Sequence, residues 1–307
     1  ATPLSARSLS QEEIRRAPGA AADIQRVMQA MPGVTFGDDH RNDLVVRGGA
    51  PTENLTRVDD IEIPNINHFG TQGATGGPIS MLDTDFIDEV RFLTGGFPAE
   101  YGGRLSSVLD VRLREGSRER LAGSADLSMA GAGLSAEGPT PGGARGSWFV
   151  GARRSYLDLL HGAIDLAAVP QYAGGQARVV YDLTPADQIA ATALAGWDDI
   201  HFERDAGSDE AGSADDVRSG GTAAVGGLSW RRLWSNAGFT RLTLSAVSST
   251  FRTDARDSAD ARAYHNRSRE TEYVARLTSS WNVSRRGTLG AGSALRLVDF
   301  RHDLFLR

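Results

Sequence analysis

The spacing of apolar residues divides the chain into two parts. In the first part, short segments with helical and strand periods alternate. After residue 121 the helical period disappears, and long runs of alternating apolar and polar residues replace it. The pattern predicts an α+β domain over 1–116, followed by a domain of antiparallel strands over 117–307.

Two helices and several short strands are predicted in the N-terminal domain. Ser10 and Glu13 have the spacing of a capping box, which begins a short helix. A second helix is predicted over 20–31, because apolar residues recur there on one helical face. They are Ile24, Val27, Met28 and Met31. Strands are predicted over 43–47, 56–59, 61–64, 86–93 and 105–113. Asp59 and Asp60 lie between two of these strands and predict a hairpin turn.

Nine alternating strands are predicted after residue 121. Their ranges are 121–130, 132–138, 146–156, 172–183, 188–203, 222–234, 239–254, 270–283 and 288–305. In the seventh strand, Leu242 and Leu244 lie on one face, and Arg241 and Thr243 lie on the other. Such faces suit a wall between lipid and a wet lumen. A soluble β-sandwich would instead turn its apolar face toward a core.

Strand length, turn length and aromatic residues favour the wall. Several predicted strands exceed ten residues, which is longer than most strands of globular proteins. Short turns alternate with longer connections, as they do in outer-membrane barrels. The short turns lie at 141–143, 184–187, 235–238 and 284–287. Aromatic residues close to these turns predict an interfacial girdle. They are Trp148, Tyr181, Trp234, Phe239 and Trp281.

Composition narrows the class of protein further. The chain has 307 residues, a formal charge of -6 and no cysteine, which excludes a disulfide scaffold and a cysteine nucleophile. The mildly acidic balance argues against a nucleic-acid partner, which would require a basic surface. No run of eighteen apolar residues predicts a membrane-spanning helix, but a barrel strand needs only about 9–11 residues.

Three motifs occur in order in the N-terminal domain. They are Met31-Pro32-Gly33-Val34, Leu44-Val45-Val46-Arg47-Gly48-Gly49 and Phe97-Pro98-Ala99-Glu100-Tyr101-Gly102-Gly103-Arg104. Together they resemble the plug domain of TonB-dependent outer-membrane receptors, over residues 1–115. The resemblance implies an α+β plug domain inside an antiparallel transmembrane β-barrel. One position departs from the family pattern, since Asp60 stands where the family's turn has glycine.

The resemblance also implies an orientation and an extent for the barrel. If the plug leaves on the periplasmic side, the first strand runs outward and every short turn falls on the periplasmic face. Plugged transporters use 22 strands, so nine strands cannot close around a plug. We therefore expect an incomplete barrel, and a chain that is the N-terminal part of a longer protein.

Arg47, Glu100 and Arg104 are predicted to anchor the plug to the barrel. In the family, an arginine of this motif pairs with acidic residues of the barrel wall. The alternative is an ordinary arginine at a strand end, with its charge in water.

The segment 65–78 is a long, polar and glycine-rich connection. Long irregular loops in compact domains are usually functional or disordered. The family places this loop at the apex of the plug, where substrate arrives. His68, Phe69 and Gln72 are therefore predicted to contact substrate, and a flexible surface loop without contacts is the alternative.

Asp199, His201 and Glu203 share one face of a predicted strand and could bind a divalent cation. The alternative is an acidic outer loop whose charge keeps it in solution. The sequence contains no nucleophile elbow, phosphate loop or zinc motif. Neither an enzyme nor a cofactor is therefore predicted.

The implied function is energy-coupled import of a scarce nutrient across the outer membrane of a Gram-negative bacterium. The nutrient could be a siderophore, cobalamin, a glycan or a peptide. The implied partners are outer-membrane lipid, the substrate and the periplasmic TonB complex, for which residues 1–9 are the candidate contact by position. The alternatives are a surface receptor that binds ligand or signals without transport, and a soluble β-rich binding protein.

Overall fold

The computed structural model describes residues 5–17, 23–35, 37, 41–128, 131–156, 170–202, 216–257, 261–284 and 287–306. The N-terminal domain contains helices α1 (Gln11–Arg16) and α2 (Ile24–Gln29) and nine short strands. The strands are β1 (Ala6–Ser10), β2 (Val34–Thr35), β3 (Val45–Val46), β4 (Asn54–Val58), β5 (Ile61–Glu62), β6 (Asn67–His68), β7 (Ile79–Ser80), β8 (Ile87–Leu93) and β9 (Ser107–Leu113). Single 3-10 turns lie at Pro51–Glu53 and Thr84–Phe86.

A five-stranded sheet in the order β1-β8-β9-β4-β5 forms the centre of this domain. β4 and β9 are parallel, and the other neighbours are antiparallel. Two further pairs, β2-β3 and β6-β7, lie beside it. The predicted apolar face of α2 packs into the core, where Ile24 and Met28 are fully buried. The predicted strand over 105–113 was wrong at its start, because Leu105 is 82% exposed and pairing begins at Ser107.

Local polar contacts explain where the helices begin. The Ser10 backbone N–H and hydroxyl both donate to the Glu13 carboxylate at 2.8 Å, which confirms the predicted capping box. The Asp23 carboxylate caps α2 by accepting the Gln25 amide at 2.8 Å. The second helix is shorter than the predicted range of 20–31: residues 20–22 lie outside the described residues, Asp23 is extended, and the helix runs from Ile24 to Gln29.

The tight turn between β4 and β5 is confirmed. Asp59 has φ 49° and Asp60 has φ 67°, so both central residues occupy the left-handed region that a type I′ hairpin turn requires. Aspartate tolerates this region better than most side chains, which is why Asp60 can replace glycine here.

Nine long strands form a second sheet in sequence order, and every neighbouring pair is antiparallel. They are β10 (Ala122–Ser128), β11 (Gly131–Pro139), β12 (Gly146–Arg154), β13 (Gln171–Asp182), β14 (Asp187–Phe202), β15 (Asp216–Leu233), β16 (Gly238–Arg256), β17 (Arg262–Ser284) and β18 (Gly287–Leu306). A 3-10 turn at Ser235–Ala237 joins β15 to β16. In the described part of the chain, β10 and β18 do not pair, so the sheet is open. All nine predicted strands are confirmed.

The two faces of this sheet differ as predicted. On β16, Leu244 is 50% exposed on the convex outer face, whereas its neighbour Thr243 is 3% exposed on the inner face. The inner face covers the N-terminal domain, and the Phe86 ring stacks on the Phe149 ring of β12 at 4.4 Å. A soluble sandwich would bury the apolar face instead, so the exposed apolar face favours lipid contact. Within the described residues, no helix is both long and apolar enough to cross a membrane.

The predicted aromatic girdle is mostly consistent with these faces. The rings of Trp234 and Trp281 stack at 5.7 Å beside two of the short turns. Phe239 is a correction, because it lies on the same strand face as Arg241 and lines the interior. β9 ends at Leu113 and β10 begins at Ala122, and the domain boundary at 116 and 117 stays a prediction within that connection.

Candidate functional site

The β4–β5 hairpin points three carboxylates at the inner face of the long sheet. These hairpin carboxylates are Asp59, Asp60 and Glu62. Asp59 pairs with Arg178 of β13, Asp60 pairs with Arg241 of β16, and Glu62 pairs with both Arg276 and Arg296. The arginines come from four different strands. A single short turn therefore connects the two domains across most of the sheet.

The carboxylates of these pairs are largely removed from water, whereas Arg241 and Arg296 are 29% and 39% exposed. The side chains of the hairpin carboxylates are only 13% to 16% exposed, and Arg276 is 11% exposed. Asp59 also accepts the Leu113 amide at 3.2 Å and the Thr192 hydroxyl at 3.1 Å. Breaking one side of a buried ion pair typically costs about 3–5 kcal/mol, because the remaining charge stays buried without a partner. The hairpin therefore acts as an ionic latch between the two domains.

The pKa values of Asp59 and Asp60 are shifted in opposite directions, although burial opposes the charge on both. Burial raises the pKa of Asp59 above its ordinary value, and Arg178 offsets only part of that effect. Burial also opposes the charge on Asp60, but Arg241 and Arg57 outweigh it and lower the pKa of Asp60. Asp60 is consequently the carboxylate that the surrounding charges hold ionised.

We expect Asp59→Asn and Asp60→Asn to affect stability with opposite dependence on pH. A group whose pKa is higher in the folded protein than in the unfolded chain stabilises the fold at acidic pH. The stability advantage of Asp59 over Asp59→Asn is therefore lost as pH rises through the raised pKa of Asp59. A group whose pKa is lower in the folded protein than in the unfolded chain stabilises the fold at pH values above the ordinary pKa of aspartate. The stability advantage of Asp60 over Asp60→Asn is therefore lost as pH falls through the lowered pKa of Asp60. Equilibrium unfolding in detergent, repeated at several pH values, checks both slopes. Parallel slopes for the two variants would contradict this assignment.

Behind the latch lies a buried polar cluster within the N-terminal domain. Arg57 donates two hydrogen bonds to Asp110, at 3.2 and 3.0 Å, and its guanidinium lies over the Tyr101 ring at 4.3 Å. The Tyr101 hydroxyl donates to the same carboxylate at 2.6 Å. Arg57 also lies 3.6 Å from Asp60, which links this cluster to the latch. Although burial opposes its charge, Asp110 and Asp60 raise the pKa of Arg57.

A polar cavity of about 1220 Å³ separates the hairpin from the sheet on the side of the short turns. Charged side chains from both domains line it, including Asp60, Arg231, Arg241 and Arg276. A dry apolar interface would not leave such a space. On this side the two domains are thus joined by discrete polar contacts around the cavity, whereas elsewhere apolar side chains of both domains, including Phe149, Leu194 and Val225 of the sheet, share one core.

A second set of contacts lies at the opposite, apical end of the N-terminal domain. The Gln72 amide nitrogen donates to Glu270 at 3.2 Å and lies 3.2 Å from His302 Nδ1. Its oxygen accepts from Asn266 at 3.1 Å and from Ser268 at 3.0 Å. Gln72 is therefore held by β17 and β18 at the same time.

Comparison with known proteins identifies the N-terminal domain. Residues 1–107 match the family described as the TonB-dependent receptor plug domain. The N-terminal domain is a TonB-dependent receptor plug domain. The long sheet is part of the β-barrel wall around it, which confirms the predicted fold class of a plug with an incomplete barrel.

Solved receptor structures share this arrangement of plug and wall. The siderophore receptor PirA from Acinetobacter baumannii superposes with a TM-score of 0.68 at 15% identity, covering 97% of this chain and 48% of that chain. The ferric-catecholate import receptor Fiu from E. coli K12 superposes with a TM-score of 0.67 at 12% identity, covering 97% and 50%. A mutant of the ferric enterobactin receptor PfeA from Pseudomonas aeruginosa superposes with a TM-score of 0.65 at 14% identity, covering 96% and 49%. Identities this low show the fold alone, and the chain spans about half the length of these structures. None of the curated proteins compared with the chain matches it.

The predicted anchoring residues contact the plug itself. The Arg47 guanidinium lies 3.4 Å from the Ser5 hydroxyl, and Glu100 lies 3.8 Å from Arg57. Arg104 has its Nε buried without a hydrogen-bond partner among the described residues. Anchoring by these three residues stays a prediction. The hairpin supplies four of the ion pairs that join plug to wall, and Asp83 of the plug pairs with Arg153 of β12 at 2.8 Å. In these pairs the plug supplies the carboxylate, the reverse of the expected charge order, whereas Arg114, directly after β9, pairs with Glu137 of β11 in the expected order.

The predicted substrate contacts lie against the wall in this structure. His68 is 2% exposed, and its ring lies 4.7 Å from the Tyr172 ring and 3.6 Å from the Asp198 carboxylate. Phe69 meets Tyr172 edge to face at 6.1 Å. Contact with substrate stays a prediction for His68, Phe69 and Gln72, and it requires the apical loop to move from the wall.

The predicted cation ligands separate into two ion pairs. Asp199 binds Arg252 at 2.9 Å, and His201 binds Asp216 at 2.7 Å. Glu203 lies outside the described residues. Among the residues that the structure describes, no group of three potential ligands could hold a metal ion.

Sequence reasoning missed the ionic latch, although part of its signal was present. Arg241 and Arg276 occupy the polar face of predicted strands, and Asp59-Asp60 lies at a predicted turn. The alternation of apolar and polar residues does not specify that this turn contacts those strands. The pairing depends on how the plug is placed inside the wall.

Proposed function

We propose that this chain is the gate and part of the wall of an outer-membrane receptor that imports a scarce nutrient with energy from TonB. The observation that carries the proposal is the hairpin latch. A gate must be held firmly and still be released, and discrete ion pairs beside a polar cavity suit both requirements better than apolar contacts alone would.

The contact with TonB is proposed for residues 1–9. Strand β1, which begins within this segment, pairs with β8 at the edge of the central plug sheet, with Ala6 opposite Leu93. A pull on this segment would act on β8 and β9, and β4 of the hairpin pairs with β9. The chain thus offers a short route from the N-terminal segment to the latch.

The cargo we propose is a ferric siderophore. PirA is a siderophore receptor, PfeA is a ferric enterobactin receptor, and Fiu is a ferric-catecholate import receptor. In the proposed cycle, cargo meets the apical loop near His68, Phe69 and Gln72 before the plug is pulled. Arg47, Glu100 and Arg104 would keep the rest of the plug folded against the wall during that movement.

We expect cells that lack the receptor to lose energy-dependent uptake of a radiolabelled ferric catecholate. Complementation with the full-length protein should restore uptake, and deletion of residues 1–9 should abolish it while leaving protein in the outer membrane. Gln72→Leu removes the four polar contacts of the Gln72 side chain and should change the apparent affinity for cargo. Uptake that survives loss of the proton-motive force would contradict the proposal.

A further inference from the structure

The inner face of the wall carries a buried amide without a partner. Gln176 of β13 is 6% exposed, and neither its amide nitrogen nor its amide oxygen has a hydrogen-bond partner among the described residues. Each of these atoms loses contact with bulk water without gaining a protein partner, which costs free energy. An apolar side chain would avoid that cost. The resting structure therefore does not explain why an amide lies here.

The residues that continue this row of the sheet are apolar. Gln176 lies opposite Leu194 of β14, and the row continues through Val225 of β15 to Val247 of β16. All three apolar side chains are buried in the core that the plug and the wall share. Of these four positions, Gln176 alone offers hydrogen-bonding groups to the interior.

Gln176 belongs to a continuous inward surface on two neighbouring strands. Alternate residues of a strand share one face, so residues 172, 174, 176 and 178 of β13 all face inward. Their direct partners on β14 are residues 198, 196, 194 and 192. We call this surface, 172–178 of β13 and 192–198 of β14, the β13–β14 path. Its second row is a pair of glycines, Gly174 and Gly196, which leaves space for a large group beside the wall.

The β13–β14 path connects the two regions that the proposed import would use. At its apical end, the His68 ring of the plug lies 4.7 Å from the Tyr172 ring and 3.6 Å from the Asp198 carboxylate. At its other end, Arg178 pairs with Asp59 of the hairpin latch and lines the polar cavity. Gln176 lies between these two ends.

A short hairpin of the plug covers the apical half of the path. A Cβ atom at Gly174 would lie 3.2 Å from His68 Nε2, and a Cβ atom at Gly196 would clash with Met81. His68 belongs to β6, which pairs with β7 through two residues on each strand, and Met81 directly follows β7. Displacement of this pair, together with release of the hairpin latch, would uncover the path from both ends.

We propose that cargo passes the plug along the β13–β14 path, and that the Gln176 amide forms hydrogen bonds with it in transit. The amide offers a carbonyl acceptor and an NH₂ donor, which suit amide or hydroxyl groups at the surface of a metal chelate. Release of Asp59 would free the Arg178 guanidinium, one row further on, to bind an anionic chelate. This inference rests on the proposed function and adds a route and a contact residue to it.

Uptake kinetics of the full-length receptor in cells, with a radiolabelled ferric catecholate, test the role of Gln176. We expect Gln176→Leu to lower the maximal rate per receptor about tenfold, because a hydrogen bond to cargo in transit is lost. The apparent affinity for cargo should stay unchanged, since the resting plug covers residue 176. Gln176→Asn keeps a shorter amide and should recover part of the rate. A merely structural role predicts that Gln176→Leu is as fast as the wild type, and that result would overturn the contact.

Cysteine labelling in energised cells locates the route without changing Gln176. Leu194→Cys lies on the β13–β14 path, and Val247→Cys, in the same row and similarly buried, lies outside it and is the matched control. During uptake, a membrane-impermeant maleimide should label Leu194→Cys several-fold faster than Val247→Cys. Equal labelling of both would mean that the whole plug leaves the wall, and protection of both would mean that cargo passes elsewhere. Either result overturns the path.

Uptake by the wild type separates this inference from the proposed function. A wild-type receptor without energy-dependent uptake would refute the proposed function, and the path with it. Normal wild-type uptake combined with equal labelling, or with protection of both cysteines, would refute the path alone.

Discussion

Asp60→Arg is expected to open the gate. The new arginine would face Arg241 and Arg57, which now bind Asp60 from the wall and from the plug. Loss of one buried partner costs about 3–5 kcal/mol, which corresponds to a hundredfold or larger change in the equilibrium ratio of released to latched plug. Cells that carry the variant should become at least tenfold more sensitive to large polar antibiotics that the outer membrane excludes.

The matched experiment restores the pair with its charges exchanged. Asp60→Arg combined with Arg241→Asp should recover much of the resistance, although Arg57 still repels the new arginine. Arg120→Asp changes an exposed arginine in the connection between plug and wall, and it should leave sensitivity unchanged. If the double variant is as leaky as the single one, the latch does not depend on this pair.

Asp110→Ala is expected to destabilise the plug more than any surface change. The side chains of Arg57 and Asp110 are 4% and 6% exposed, so the substitution leaves a buried guanidinium with only the more distant Asp60 and Glu100. We expect a loss of about 3–5 kcal/mol in the free energy of unfolding of the plug. Hydrogen exchange of β4 and β9 in the detergent-solubilised receptor, followed through a denaturant series, measures it.

Tyr101→Phe provides the graded comparison for this cluster. It removes one hydroxyl donor at 2.6 Å from Asp110 but keeps the ring under Arg57, so the loss should be about 1.5–3 kcal/mol. Arg112→Ala, whose ion pair with Glu89 spans 3.7 Å and is about half exposed, should cost less than about 1 kcal/mol. A Tyr101→Phe loss that equals the Asp110→Ala loss would contradict the central role of the carboxylate.

The spacing of apolar residues and the residue types at the turns were sufficient to predict most of the fold. The nine wall strands, their inward and outward faces, the Ser10–Glu13 capping box and the Asp59-Asp60 turn follow from interactions between residues close in sequence. Two wall strands begin earlier than predicted, at Asp216 and Arg262. Their first residues are charged and lie beyond the apolar band, where neither face meets lipid and alternation carries no signal.

The site was harder to predict, because it is formed by pairs distant in sequence. Asp110 alternates with apolar residues as a solvent-facing side chain would, yet it is 5% exposed because Arg57 and Tyr101 cover it. Phe239 lies near a short turn like the girdle aromatics, but its strand face points inward beside Arg241. The sequence places each residue on a strand, whereas only the packing of plug against wall brings the charges together.

Labelling of a cysteine at position 61 in intact cells tests the gate most directly. The 307 residues contain no cysteine, and Ile61 is 2% exposed, packed so closely on the wall that a Cβ atom at Gly227 would clash with it. In Ile61→Cys, a membrane-impermeant maleimide should label the plug only while cargo uptake is measurable, and not in resting cells or cells without TonB. Labelling in resting cells, or full protection during measured uptake, would contradict a plug that the hairpin latches to the wall and that energised TonB releases.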